Sequence, residues 1–226
     1  MKMLRPGLVL VVPVLALAGA AGAGNWTRTA DTAPPVNDPE TAPDGWTTAA
    51  PRDEIRPAFG YDPSGGPDGK GCFVITADRR EGLAGFWKKS FPVAGGKHYR
   101  FEARYRATGV GVPRRSVLVE VHWLDGQGRK VSLDEPAVAG YLAGATPMAE
   151  TEFPTTREAD ARGWVEVSDT YRAPSRATQA VVELHLRWAA NAEVRWGGVA
   201  VTESTPPAPR TVRLATAHFL PKGGKR

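Results

Sequence analysis

Three stretches of this chain, 99–107, 117–125 and 182–188, alternate apolar and polar side chains with a period of two. That period throws successive side chains to opposite faces, so each stretch is read as a half-buried strand. The apolar sets are Tyr99/Phe101/Ala103/Tyr105, Val117/Val119/Val121/Trp123 and Val182/Leu184/Leu186/Trp188. The opposite faces carry Arg100/Glu102/Arg104/Arg106, then Glu120/His122, then Glu183/His185/Arg187. A face that only meets water needs polar residues, but it does not need two Glu-x-His pairs.

Shorter runs of the same kind place strands near 54–59, 72–77, 85–91, 97–107, 116–125, 164–173, 180–188 and 193–202. Turn residues separate them: the Gly/Pro/Asp run at 63–69, Ala94-Gly95-Gly96, Asp125-Gly126-Gln127-Gly128 and Ala190-Asn191. No stretch of the body keeps a helical period for three turns. The expected fold is all-β, an eight-stranded jelly-roll β-sandwich. Its core is predicted to hold Phe73, Ile75, Phe101, Tyr105, Val119, Val121, Leu184, Leu186 and Val199. Trp123, Trp164, Trp188 and Trp196 are read as core and Trp46 as docking on the sandwich edge, while Trp87 and Tyr141 are the better platform candidates, each nonetheless read as packed rather than exposed. The connection 126–163 is far longer than the ~12–15 residues usual in compact domains. It is expected to be either a binding loop or an insertion.

Composition then sets the compartment. Lys2 and Arg5, an apolar run over 8–18 and Ala21-Gly22-Ala23 read as an export signal over residues 1–23. The run is shorter than the ~20 residues a membrane span needs, so no span is expected after cleavage. The product is expected to be secreted or periplasmic. Cys72 is the only cysteine, so no internal disulfide can form. The formal net charge of +5 is carried by the two ends, and the body between the signal and Arg210 comes to −2. A nucleic-acid binder concentrates positive charge on its folded domain, so nucleic acid is excluded as a partner.

The expected organisation is a leader over 24–50, a sandwich over 51–203, a Pro-rich linker over 204–210 and, over 211–226, the start of a further domain. In that last segment 211–219 alternates again, as a strand without a partner.

Six motifs in order resemble a carbohydrate-binding-module-type, galactose-binding-like jelly roll. They are Gly-Gly-Pro-Asp-Gly-Lys-Gly (65–71), Phe-Trp-x3-Phe-Pro-Val (86–93), the Gly-Gly-Lys to Tyr-Arg run (95–106), Val-x-Trp-Leu-Asp-x-x-Gly (121–128), the Gly-Trp to Ala-Pro run (163–174) and Val-x-Trp-Gly-Gly-Val-x-Val (194–201). The resemblance implies a non-catalytic module for polysaccharide or another extracellular glycan. Many relatives carry acids after the last Trp, where Gly197 and Gly198 stand here. Calcium needs such oxygen ligands, so no structural calcium is expected, and no other cofactor. The tail 211–226 resembles the first strand and turn of carbon–nitrogen hydrolases of the nitrilase type. That implies a hydrolase domain following in cis, with catalytic residues beyond Arg226. The alternative function is a structural domain that packs on such a hydrolase and has no ligand of its own.

Candidate chemistry lies on the polar faces. In an eight-stranded jelly roll the strands at 72–77, 180–188, 97–107 and 116–125 are expected to share a sheet. Glu102, Arg104, Glu120, His122, Glu183 and His185 would then form one surface, with Cys72 or Thr76 at its edge and Tyr141 from the long loop above it. Carboxylate and guanidinium groups in such an array hold sugar hydroxyls by charge-assisted hydrogen bonds. The same array can equally be a solvated face of cross-strand pairs. A metal is not expected, because His122 and His185 would lie two strands apart with Arg104 between them. Glu120 and Glu183 could reach the spacing of a glycosidase pair. No catalytic residue is otherwise recognisable, which leaves the question of an enzyme open.

Overall fold

Among the described residues ten strands, all paired antiparallel, carry the fold. In chain order they are β1 (Thr47–Ala49), β2 (Ala58–Asp62), β3 (Cys72–Thr76), β4 (Ala84–Pro92), β5 (His98–Thr108), β6 (Val117–Leu124), β7 (Thr155–Ala159), β8 (Val165–Arg172), β9 (Gln179–Arg187) and β10 (Glu193–Ser204). A 3₁₀ turn at Asp53–Ile55 and a single helical turn, α1 (Pro113–Ser116), are the only other regular elements among the described residues. The computed structural model describes residues 42–43, 45–134, 147–209 and 211–216, all within the compact unit Pro34–Arg226. The expected export signal, most of the expected leader, Tyr141 and residues 217–226 lie outside the described residues. No described helix is long and apolar enough to cross a membrane.

Two sheets pack face to face. One has four strands in the order β1-β4-β9-β6, and the other six in the order β2-β3-β10-β5-β8-β7. This is a jelly-roll β-sandwich. The eight expected strands are present, although the first begins at Ala58, because 53–55 forms the 3₁₀ turn. Two short strands join them. β7 is exposed along its whole length, so it has no apolar phase that periodicity could reveal. β1 belongs to the stretch read as leader and adds to the edge of β4, with Thr47 opposite Lys88 and Ala49 opposite Phe86. Trp46 beside it docks on the sandwich edge, its ring 4.3 Å from Phe73 and 6.3 Å from Phe91.

The core lies where the alternating strands meet. Tyr99, Phe101, Ala103 and Tyr105 of the larger sheet are buried against Val117, Val119, Val121, Trp123, Val182, Leu184 and Leu186 of the smaller one. Of the nine predicted core residues only Val199 is less than fully buried, and it packs on the core from its flank. Trp87 is packed, as read: it is fully buried, its indole Nε1 donating to the carbonyl of Val74 at 3.1 Å, so it is no platform. Trp188 corrects an expectation. β9 ends at Arg187, Trp188 takes a left-handed φ of 57°, and its amide donates to the carbonyl of Leu83. That turn breaks the alternation and leaves the indole 47% exposed, with Arg187 and Arg115 over it at 4.7 and 5.6 Å.

Gly197 and Gly198 shift the register of β10 against β5. Gly198 has a φ of 62°, and a Cβ on Gly197 would stand 2.6 Å from Cδ of Pro67. The pair is therefore required by a bulge and by the close approach of the 63–71 turn. The same turn covers Cys72, which is fully buried in β3 of the six-stranded sheet. Burial pushes its thiol pKa up, and it does not border the polar face of β6 and β9.

The described ends of the long connection build onto β6. Leu124 bridges Lys130, Ser132 bridges Met148, and Val121 exchanges both backbone hydrogen bonds with Glu152 at 3.0 Å. The described part of the tail, 211–216, is exposed and pairs with no strand of the sandwich.

Candidate functional site

The outer face of the four-stranded sheet is where the two Glu-x-His pairs meet. β6 and β9 are direct neighbours, and their register sets Glu120 opposite Glu183, His122 opposite Val181 and Leu118 opposite His185. On the other flank of β9, Lys88 of β4 stands opposite Glu183 and Phe86 opposite His185. The expectation that these histidines lie two strands apart is therefore overturned. From β3 to β6 and from β8 to β10 the chain crosses between the sheets at every strand, and the apolar–polar period reveals which face of a strand is buried but not which sheet it joins.

The side chains converge on Glu183. His185 Nε2 lies 3.1 Å from its Oε2 and His122 Nε2 lies 3.6 Å from the same atom. His122 Nε2 is also 3.4 Å from Oε2 of Glu120. The other ring nitrogen of His122, Nδ1, shares a hydrogen bond of 3.1 Å with Thr151 Oγ1, contributed by the returning arm of the long connection. Arg187 reaches Oε1 of Glu120 at 3.6 Å. The Phe86 ring packs on the His185 imidazole with centroids 4.6 Å apart, which is why this outward-facing histidine is buried. All four groups are shielded, with side chains 9–18% exposed. Burial alone would raise the Glu183 pKa. Hydrogen bonds and charge from the two imidazoles outweigh it and lower the pKa from 4.5 to about 2.

A groove of about 500 Å³ opens beside this cluster. Leu124 and Val181 form an apolar floor, and His122, Glu183, Ser90 and Thr47 supply polar walls. That volume falls within the ~300–1,000 Å³ typical of small-ligand sites.

Glu102 and Arg104 do not join this surface. They lie on β5 in the six-stranded sheet, with Ser168 and Glu166 opposite them on β8. There Arg100 pairs with Glu102 at 2.6 Å and with Glu166 at 3.6 Å, beside a separate hollow of about 220 Å³. The single expected surface is two surfaces on opposite sides of the sandwich. Thr151, Phe86 and Arg187 were not singled out as ligand candidates by the sequence. The only signal for Arg187 was its place in the alternating set, and Thr151 comes from a segment with no pattern at all.

No protein family and no curated protein matches the chain. Among solved structures, the chain is similar to the enzymatically active domain of tailspike protein 4 of bacteriophage CBA120. That match has a TM-score of 0.50 and 12% identity, over 71% of this chain and 20% of that one. It is also similar to the CBM22-1–GH10 modules of Clostridium thermocellum xylanase 10B, with a TM-score of 0.47 and 16% identity, over 72% of this chain and 26% of that one. A third likeness is to a family 16 carbohydrate-binding module, with a TM-score of 0.46 and 14% identity, over 71% of this chain and 92% of that one. The chain thus spans about a fifth to a quarter of the first two structures. At these identities the likeness is one of fold.

Proposed function

We propose that this chain is an exported, non-catalytic sandwich module that binds carbohydrate on the outer face of its four-stranded sheet. The observation that carries the reading is the groove beside Glu183 and His122. It joins an apolar floor to fixed hydrogen-bonding walls, the combination that suits the C–H face and the hydroxyl edge of a sugar ring. Glu120, His122, Glu183 and His185 supply the charge-assisted hydrogen bonds. The setting belongs to the same proposal: export by residues 1–23 and a carbon–nitrogen hydrolase domain following in cis. Sequencing the gene past the codon for Arg226 tests that setting directly.

The binding test is retention of the chain on a panel of insoluble and gel-embedded polysaccharides. Each lost charge-assisted hydrogen bond is worth ~1.5–3 kcal/mol, so Glu183→Ala should weaken binding roughly ten- to hundred-fold. Arg104→Ala, on the opposite sheet, should leave retention unchanged. Absence of retention on every polymer would reject the reading and favour a docking domain without a ligand. Equal losses from both variants would reject the assignment of the face.

A further inference from the structure

The strongest objection to a metal at these residues was geometric, and the fold removes it. His122 and His185 project from adjacent strands, and Arg104 is on the other sheet. We propose that Glu120, Glu183 and His185, with His122 as the fourth ligand, bind a transition-metal dication of the zinc class.

Three of the four donors already lie close together. A tetrahedral zinc ion with ligands at ~2.0–2.1 Å holds neighbouring donor atoms roughly 3.3–3.4 Å apart. Here Glu120 Oε2, His122 Nε2, Glu183 Oε2 and His185 Nε2 follow one another at 3.4, 3.6 and 3.1 Å. Donor atoms of Glu120, Glu183 and His185 all lie within 4.8 Å of one another. Closing Glu120, Glu183 and His185 to that spacing takes side-chain movements on the order of 1–2 Å, and His122, whose Nε2 lies near both carboxylates, must turn in to join them as the fourth ligand.

Charge points the same way. Glu120 and Glu183 face each other directly across an antiparallel pair, at 18% and 17% side-chain exposure. Like charges in that position repel, and shielding from water makes the repulsion stronger. Two carboxylates and two neutral imidazoles balance a dication. His122 Nε2 faces carboxylate oxygens of both glutamates, at 3.4 and 3.6 Å.

The surroundings hold the donors in place. Thr151 fixes the far nitrogen of His122, as outer-shell partners do at metal sites, and Phe86 fixes the His185 ring. Arg187 occupies Oε1 of Glu120 and leaves Oε2 toward the cluster. Lys88 stands opposite Glu183 on β4 and lines the groove. Mixed imidazole and carboxylate donors select zinc, cobalt or nickel over calcium or magnesium.

The inference stands on this geometry and not on the glycan reading. The test is calorimetric titration of the metal-stripped chain with zinc chloride at neutral pH, with no glycan present. One dication should bind per chain. Glu183→Gln and His185→Gln should weaken it roughly a hundred-fold or more, and Glu102→Gln on the other sheet should not change it. A measurement on the unaltered protein covers the case in which those variants misfold. Cobalt(II) should give a tetrahedral visible spectrum and should broaden the imidazole resonances of His122 and His185 while sparing His98. Absence of zinc binding would overturn the proposal, as would binding that survives the variants or cobalt broadening centred on other residues. Zinc binding without any polymer retention would keep the metal site and reject the glycan reading, and the reverse result would do the opposite.

Discussion

Replacing Glu183 by Gln isolates the contest on the four-stranded face, because the shape is kept and only the charge is lost. Burial disfavours the charge on that carboxylate, while hydrogen bonds and charge from His122 and His185 favour it. The imidazoles win, and the pKa falls from 4.5 to about 2. At ~1.4 kcal/mol per unit this is worth about 3 kcal/mol, and the low exposure of Glu183 calls for no large discount for solvent. The sign follows from linkage. A carboxyl whose folded pKa is depressed contributes stability that is complete above its unfolded value and is lost as pH falls through its folded value. The chain should therefore exceed Glu183→Gln by about 3 kcal/mol just above pH 4.5, and the two should converge as pH approaches about 2. Urea unfolding of both proteins across that range, with chelator present to exclude bound metal, measures the difference. A difference that stays flat with pH would refute the reasoning. So would a Gln variant more stable than the parent, which would mean that burial prevails.

Other outcomes follow from the core, the bulge and the tail. Phe101 is almost wholly buried between the sheets, so Phe101→Ala should cost ~3–5 kcal/mol by the same unfolding assay. A loss below about 1 kcal/mol would mean that β5 does not pack as described. Gly198→Ala should cost roughly 1–2 kcal/mol from its backbone alone, since the added Cβ meets only Cγ of Pro67, at an ordinary 3.7 Å. Limited proteolysis should cut within the exposed stretches 205–209 and 211–216 and leave the sandwich intact, read by mass spectrometry. Protection of those stretches would show that they pack on the body.

What the sequence disclosed was local, and what it hid was pairing. Strands β5, β6 and β9 were legible because each exposes one face of its sheet, and the predicted inward residues are the buried ones. The period does not say which strands share a sheet. Glu102 and Arg104 were accordingly grouped with Glu120 and Glu183, although the sandwich separates them. β3 shows a further limit: Cys72 and Val74 are buried on its outward phase, and for Cys72 the cover is the Gly-rich turn over 63–71. Periodicity describes a strand against solvent, not a strand beneath a loop. Trp188 failed for a backbone reason, since one left-handed residue reverses the phase that the preceding strand established. The cluster itself was half visible. Both Glu-x-His pairs stood out, but Thr151 and Phe86, which hold the imidazoles, carry no signal until the chain is folded.

β1 gives the groove a mechanical character. Gly45 and Thr47 border it, and they are tied to the body by a ladder of three residue pairs and by the Trp46 ring. Tension applied through the preceding segment would load those pairs one after another, as a zipper is opened from its end. The core ladder between β10 and β5, ten pairs long, would not yet feel it. Under load the groove would shed a wall while the sandwich stayed folded.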